Sequence, residues 1–227
     1  MEKLLNYEQF LNRVNQLGFM ALSNILPGLP SVADETSKEA WHTGEPDTDP
    51  WCWKDRAAEE KRLAFGCILG GHKGFISQRL YPYFYAVCHP AESIEFRWQQ
   101  GLISPEAKKL WELFKTRSML DTSDIRQELV TEKKSSSKAD NAVIELQRHF
   151  YITVAGNRRK LNKAGEPYGW PANVYDRVED WAPATWLQEA AELDVREAGG
   201  FIIQTGLKSS SQVTEQQLGK VLKINTL

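Results

Sequence analysis

The sequence predicts an α+β fold, predominantly helical, in which a winged helix-turn-helix unit follows an N-terminal helical lobe rich in tryptophan. Three observations predict it. Between Ser104 and Phe150, three segments carry apolar residues at helical spacing behind capping-type side chains. A β-branched and aromatic run, a basic stretch and a second β-rich run then follow as far as Val178. Ahead of them Trp41, Trp51 and Trp53 crowd into an acidic stretch full of Pro, Gly and Asp. This reading divides the chain into a lobe at 1–101, the winged unit at 102–182, and a helix with a tail at 183–227.

In the lobe, Tyr7 to Leu17 predicts a short amphipathic helix with Phe10, Val14 and Leu17 on one side and Gly18 as its stop. Phe19 to Leu22 reads as a brief buried strand or a continuation of that helix, and Pro27 to Ser31 as a turn or extended loop. Asp55 to Leu69 predicts a helix with Ala58, Arg62, Phe65 and Leu69 on one face, ended by Gly70-Gly71. The apolar Phe75 to Ser77 and Leu80 to Tyr85 belong in the core. A long helix is expected from about Pro90 to Gln100, stopped by Gly101.

The winged unit opens at Ser104-Pro105, an N-cap followed by Pro at the first helical position, with Ala107, Leu110, Trp111 and Phe114 on one stripe. Asp121-Thr122-Ser123 caps a second helix carrying Ile125 and Leu129, and Thr131 to Ser136 is the turn. The third helix puts Ala139, Ala142, Val143, Leu146 and Phe150 inward, behind a Ser136/Ser137 cap. Its other face shows Lys138, Asn141, Glu145 and Arg148. Phe150 to Val154 is a strand ending at Gly156-Asn157, Arg158 to Lys163 is a basic loop, and Gly165 to Pro171 is turn-rich. A returning strand lies near Val174 to Val178.

Beyond it, Trp181-Ala182-Pro183 turns the chain, and Thr185 to Ala198 is a helix closed by Gly199-Gly200. Phe201 to Ile203 reads as one short strand, Lys208 to Gln212 as a linker, and Thr214 onward as a last helix with little to bury.

Bulk properties narrow the function classes. The chain has 227 residues with 28 Lys and Arg against 30 Asp and Glu, a net charge of −2. No run of 18 apolar residues and no signal-like N-terminus occurs, so a cytoplasmic location is expected. Cys52, Cys67 and Cys88 form no CxxC pair, and with His72 and His89 they match no common zinc spacing, so reduced thiols are expected and neither metal nor cofactor.

Charge is strongly segregated. From Thr131 to Lys163 eight basic residues face three acidic ones, a local balance of +5, the footprint expected where phosphates dock. From Asp34 to Glu60 the balance is about −6. The candidate DNA contacts are therefore Lys133, Lys134, Lys138, Asn141 and Arg148, with Arg158, Arg159, Lys160 and Lys163 on phosphates. The tryptophans of the acidic stretch either plug it onto the core or line a pocket where something flat stacks.

Three pieces of the chain resemble the AlkZ/YcaQ-type winged-helix DNA glycosylases, and most closely the shorter AlkZ-related group. They are Gly71-His72-Lys73-Gly74-Phe75-Ile76-Ser77 with Leu80-Tyr81-Pro82-Tyr83-Phe84, the helix-turn-helix from Ser123 to Val154, and Gly169-Trp170-Pro171-Ala172-Asn173-Val174-Tyr175-Asp176-Arg177 running into Trp181-Ala182-Pro183. The resemblance implies duplex DNA as partner and base excision as the ancestral chemistry, with a catalytic Gln-x-Gln or Gln-x-Asp soon after an N-terminal helix. The matching region, Gly18 to Ser23, has no glutamine, and neither motif occurs anywhere in the chain.

Three readings follow. The first is a winged-helix DNA-binding protein without that catalytic pair. The second is a DNA N-glycosylase for alkylated or crosslinked bases, with a substituted group drawn from Asp34, Glu35, His42 or Asp55 and a stacking pocket from Trp41, Trp51 or Trp53. The third is a protein- or ligand-interaction module, favoured if the third helix buries its polar face against the N-terminal half.

Overall fold

The computed structural model describes residues 3–130 and 136–224 and shows a mixed α/β architecture with two small antiparallel sheets. The predicted turn at Thr131 to Ser136 lies outside the described residues except for its last position, which begins a helix.

Helix α1 (Tyr7–Leu17) starts where the Asn6 side chain accepts from the Gln9 N–H, buries Tyr7, Phe10, Leu11 and Val14, and ends at Gly18 with φ 88°. Strand β1 (Phe19–Ala21) follows, resolving the strand-or-helix alternative in favour of strand. After a one-turn α2 (Val32–Glu35) the acidic Trp-rich stretch folds tightly. The Asp49 carboxylate, itself buried, accepts backbone N–H groups from His42, Gly44 and Trp51 at 2.8–3.0 Å. It thereby caps α3 (Pro50–Glu59), which has Pro at its first turn.

The helix expected over Asp55 to Leu69 is corrected here. The chain leaves α3 at Glu59, turns through Lys61, and continues as β2 (Leu63–Leu69), paired with β3 (His72–Ser77). β2 is buried along its whole length because both of its faces meet apolar cores. A strand covered on both faces reads as a continuous apolar run, which periodicity alone cannot tell from a buried helix. Gly70 and Gly71 form the hairpin turn, not a helix stop. The first sheet has the order β1-β3-β2, so β2 is an edge.

Next come α4 (Tyr81–Cys88), α5 (Ile94–Gln99) and α6 (Pro105–Thr116). The helix expected from Pro90 thus begins four residues later, where the Ser93 side chain caps it. A two-residue β4 (Leu120–Asp121) leads into α7 (Thr122–Leu129), where Asp121 and Asp124 form a capping box. Then come α8 (Ser136–Arg148), β5 (Ile152–Leu161) and β6 (Pro167–Arg177). The second sheet has the order β4-β6-β5, with Leu120 opposite Tyr175 and Ile152 opposite Arg177. Helices α6 and α7 fall where the sequence placed them; α8 ends at Arg148, so Phe150, expected on its inward face, is buried in the turn beyond it with φ 53°. The basic stretch departs too: Arg158 to Lys160 lie within β5, and the hairpin turn is the segment in which Asn162 accepts from the Ala164 and Glu166 N–H groups.

A short α9 (Val178–Trp181) precedes α10 (Ala184–Ala191) and α11 (Val195–Lys208). The predicted single helix is therefore two, and the predicted stop and strand over Gly199 to Ile203 lie inside α11. Gly199 is buried there, Ile202 and Ile203 are core, and Phe201 stacks on Tyr83 of α4 at 4.5 Å. Tertiary packing outweighs the helix cost of two glycines, about 1 kcal/mol each. The last helix, α12 (Glu215–Leu222), has a Thr214/Gln217 capping box and fully buries Leu218 and Leu222, contrary to the expectation that it had little to bury.

One core runs from α1 and α3 through Leu63 and Phe65 of β2 into α6, α7 and α8. The other gathers Ala64 and Ile68 of β2 with α4, α11 and α12. Among the described residues no helix is long and apolar enough to cross a membrane.

Candidate functional site

A cleft of about 580 Å³ opens between the first sheet with α3 on one side and α7, α8 and the β5–β6 hairpin on the other. Trp51 and Lys54 come from α3, Phe65 to Cys67 from β2, Lys73 from β3, Arg126 from α7, Gln147 from α8, and Lys160, Trp170, Asn173 and Tyr175 from the hairpin. Aromatic side chains and four cations share one concavity, apolar walls with a few polar groups as in small-ligand sites.

The cations are not equivalent. Arg126 is paired at 3.0 Å with Asp140, the one acid among the described residues that lines the cleft. Lys54 is paired with Asp55 at 2.5 Å, both side chains only 4 % exposed. Burial pushes the Lys54 ammonium down and the Asp55 carboxyl up, each partly offset by the other's charge. Lys73 and Lys160 are exposed and make no ion pair with a described residue. They are the charges available to a ligand.

α8 is held in the cleft wall by Gln147. Its side-chain oxygen accepts from the Cys67 N–H on the edge strand, and its amide donates to the Val143 carbonyl at 3.3 Å. A Cβ on Gly66 would collide with that Gln147 oxygen, so the glycine is what lets helix and strand approach this closely. Gly71 lies beside Ile144 and Arg148. The outer face of α8 is therefore divided: its C-terminal half rests on the β2–β3 hairpin, while Ser137, Lys138 and Asn141 stay exposed.

The residues predicted from sequence scatter accordingly. Lys133 and Lys134 lie outside the described residues. Lys138 pairs with Glu106 at 3.3 Å, and the Arg148 guanidinium lies 3.0 Å from His149 Nε2. Arg158 reaches Asp121 and Asp124 at 3.4 and 3.6 Å, tying the hairpin to the start of α7. Arg159, Lys160 and Lys163 are exposed without such partners among the described residues, with Tyr168 and Trp170 exposed on the facing strand.

Of the polar candidates, Asp34 is exposed and bonded to Ser31 at 2.6 Å, and Glu35 is buried against Arg13 at 2.8 Å; neither lines the cleft. His42 sits at the rim, its ring 5.0 Å from Trp51 and 5.5 Å from Trp170. Asp55 stands behind Lys54. Of the tryptophans, Trp53 is a core plug stacked on Phe10 at 5.3 Å, and Trp41 donates to Thr36 at 2.9 Å. Of the three predicted tryptophans Trp51 lines the cleft, with the Lys54 ammonium 4.5 Å above its ring.

Sequence reasoning missed Lys54, Lys73, Gln147, Trp170, Asn173 and Tyr175. The cleft collects them from four elements that no local spacing links to one another; Lys73 and the three residues of β6 lay in stretches that carry the family resemblance, and Trp51 three positions before Lys54 was a further local signal. Cys67 is buried, Cys52 and Cys88 partly so, and among the described residues no cluster of three or more His, Cys, Asp or Glu is placed to hold a metal.

In comparisons with known proteins, the family described as AlkZ related matches residues 4–223. No curated protein and no solved structure matches the chain.

Proposed function

Because a match over residues 4–223 shows that the chain belongs to the AlkZ-related family, we propose that it binds duplex DNA through a winged helix made of α6, β4, α7, α8, β5 and β6. The order of three helices and a three-stranded antiparallel sheet, with the short strand between the first two helices, supports the winged-helix reading. The observation that carries DNA binding is the long β5–β6 hairpin. It presents Arg159, Lys160 and Lys163 with Tyr168 and Trp170, all exposed, beside an aromatic and cationic cleft.

Cations on an exposed hairpin meet phosphates without displacing an internal partner, and exposed aromatics add stacking or wedge contacts. Since the β2–β3 turn lies beside Ile144 and Arg148, the part of α8 available to a groove is its first half, with Ser137, Lys138 and Asn141. The hairpin then contributes more of the contact than the helix does.

Fluorescence anisotropy with labelled duplex DNA over a salt series tests this. Affinity should fall with a log–log slope of about −0.9 per phosphate contacted. Absence of binding at low salt overturns the proposal.

The enzyme alternative, excision of an alkylated or crosslinked base by a substituted group, has one observation behind it. Of the four polar candidates, His42 lies at the cleft's rim beside Trp51 and Trp170, and Asp55 stands behind Lys54. Base release from alkylated duplex that is lost in Asp55→Asn would support it.

A further inference from the structure

We propose that Lys54 is a Schiff-base nucleophile toward the aldehyde of an abasic deoxyribose in DNA, with Asp55 moving its proton; this rests on the DNA-binding reading above. The starting point is a placement that structural economy does not explain. Lys54 and Asp55 are consecutive on α3, so their ion pair joins no two elements, yet both side chains are almost wholly withdrawn from water. Desolvating two charges costs several kcal/mol per ion before their attraction is counted. Their links to the hairpin are amide contacts: Asn173 Oδ1 at 3.5 Å from the Lys54 amine, and Asn157 on the Asp55 carboxylate.

The surroundings suit a nucleophile. Lys54 is among the residues lining the cleft, and its amine lies 4.5 Å above the Trp51 ring and 5.7 Å from that of Phe65. A lysine amine attacks only when neutral, and a desolvated site with apolar walls favours that form. Asp55 Oδ1, at 2.5 Å, is the base that receives the proton.

The balance is simple. Asp55 takes a proton from the Lys54 ammonium, and the amine's electron pair forms a bond to the aldehyde carbon of the ring-opened sugar as the C=O π pair moves onto oxygen; one N–H proton then passes to that oxygen, giving a carbinolamine. Asp55 returns the proton to the carbinolamine hydroxyl, which leaves as water, and the nitrogen lone pair closes a protonated imine. The ammonium and aldehyde have become iminium and water, and no oxidant or reductant is consumed.

The aldehyde's identity follows from what else lines the cleft. Lys73 and Lys160, which make no ion pair with a described residue, would meet the phosphates flanking the sugar, and Trp51 and Trp170 would bound the space a missing base leaves. The volume of about 580 Å³ holds one nucleotide unit.

The test is borohydride trapping of the full chain on a duplex with one abasic site, with peptide mapping of the adduct and anisotropy binding under the same conditions. The expected result is a covalent adduct at Lys54 in the wild type, reduced at least 100-fold in Lys54→Arg, which keeps the cation but loses the nucleophile. Mapping the wild-type adduct decides the question even if that variant folds poorly. DNA bound with no adduct, or with the adduct on another amine, overturns the inference and leaves the DNA-binding reading standing. If no DNA binds, that reading fails; trapping with 2-deoxyribose 5-phosphate then decides Lys54 alone, an adduct there upholding the nucleophile and its absence overturning it.

Discussion

The side-chain oxygen of Gln147 on α8 accepts the backbone N–H of Cys67 on β2 at 3.1 Å, joining residues 80 positions apart. It closes an edge strand that would otherwise expose an unpaired donor to the cleft, and it sets how far α8 stands from the first sheet. Gln147→Leu should leave that buried N–H unsatisfied and destabilise the protein by about 1–3 kcal/mol. Urea denaturation checks this. An unchanged midpoint would mean that water reaches the strand edge.

Gly70, at the β2–β3 turn, has φ 63°, and a Cβ there would strike the Val221 carbonyl at the end of α12. Both faults act together in Gly70→Ala: a left-handed backbone and a clash with main chain that cannot rotate away. A loss of at least 2 kcal/mol is expected, with the C-terminal helix undocked first. Amide exchange of α12 measures it, and unchanged protection there would contradict the account.

Removing only the cation of the buried pair, as in Lys54→Met, strands the Asp55 carboxylate out of water. The cost should be about 3–5 kcal/mol at neutral pH. It should shrink as pH falls, since a protonated Asp55 no longer needs a cation, and Lys54→Met with Asp55→Leu should recover most of it. Equal stability of the single and double variants would show that the pair is not coupled.

His149 is held down to about 4, first by burial and then by the neighbouring Arg148 guanidinium. In the fold its Nε2 faces Arg148 at 3.0 Å and its Nδ1 faces the Cys88 carbonyl at 3.4 Å, so the neutral ring is the accommodated form. The unfolded chain, with an ordinary histidine, therefore binds more protons between about pH 6.5 and 4. Stability is complete above that window and falls as pH drops through it, by roughly 2 kcal/mol after allowing for partial exposure. His89, also held low by burial, adds in the same direction. Urea midpoints at pH 7.5 and 5 test the slope, and His149→Gln should flatten it.

On the hairpin, Arg159, Lys160 and Lys163 make no ion pair with a described residue, while Arg158 is held by Asp121 and Asp124. Replacing the first three with Ala should reduce the salt slope of DNA binding by up to about 2.7, at 0.9 per phosphate contact. Arg158→Ala should change it little and instead loosen the hairpin from α7. The reverse ranking would disprove the assignment of roles.

The sequence by itself determined the helices whose caps and stripes are local. Asn6, Ser104 and Asp121 accept backbone N–H groups where α1, α6 and α7 begin, and Gly18 stops α1, because each signal acts within one helical turn. It also carried the family, through stretches such as Gly169 to Arg177 that lie contiguous in the chain. Tertiary structure decided the rest. Leu63 to Leu69 became a strand because two cores meet on it, and Gly199-Gly200 stayed helical because α11 packs on α4. It also decided that Trp53 is core while Trp51 faces a cleft, and that Lys54, Lys73, Lys160 and Gln147 share one site. Those groupings arise from burial, which acts between segments distant in sequence, so no periodicity or spacing records them.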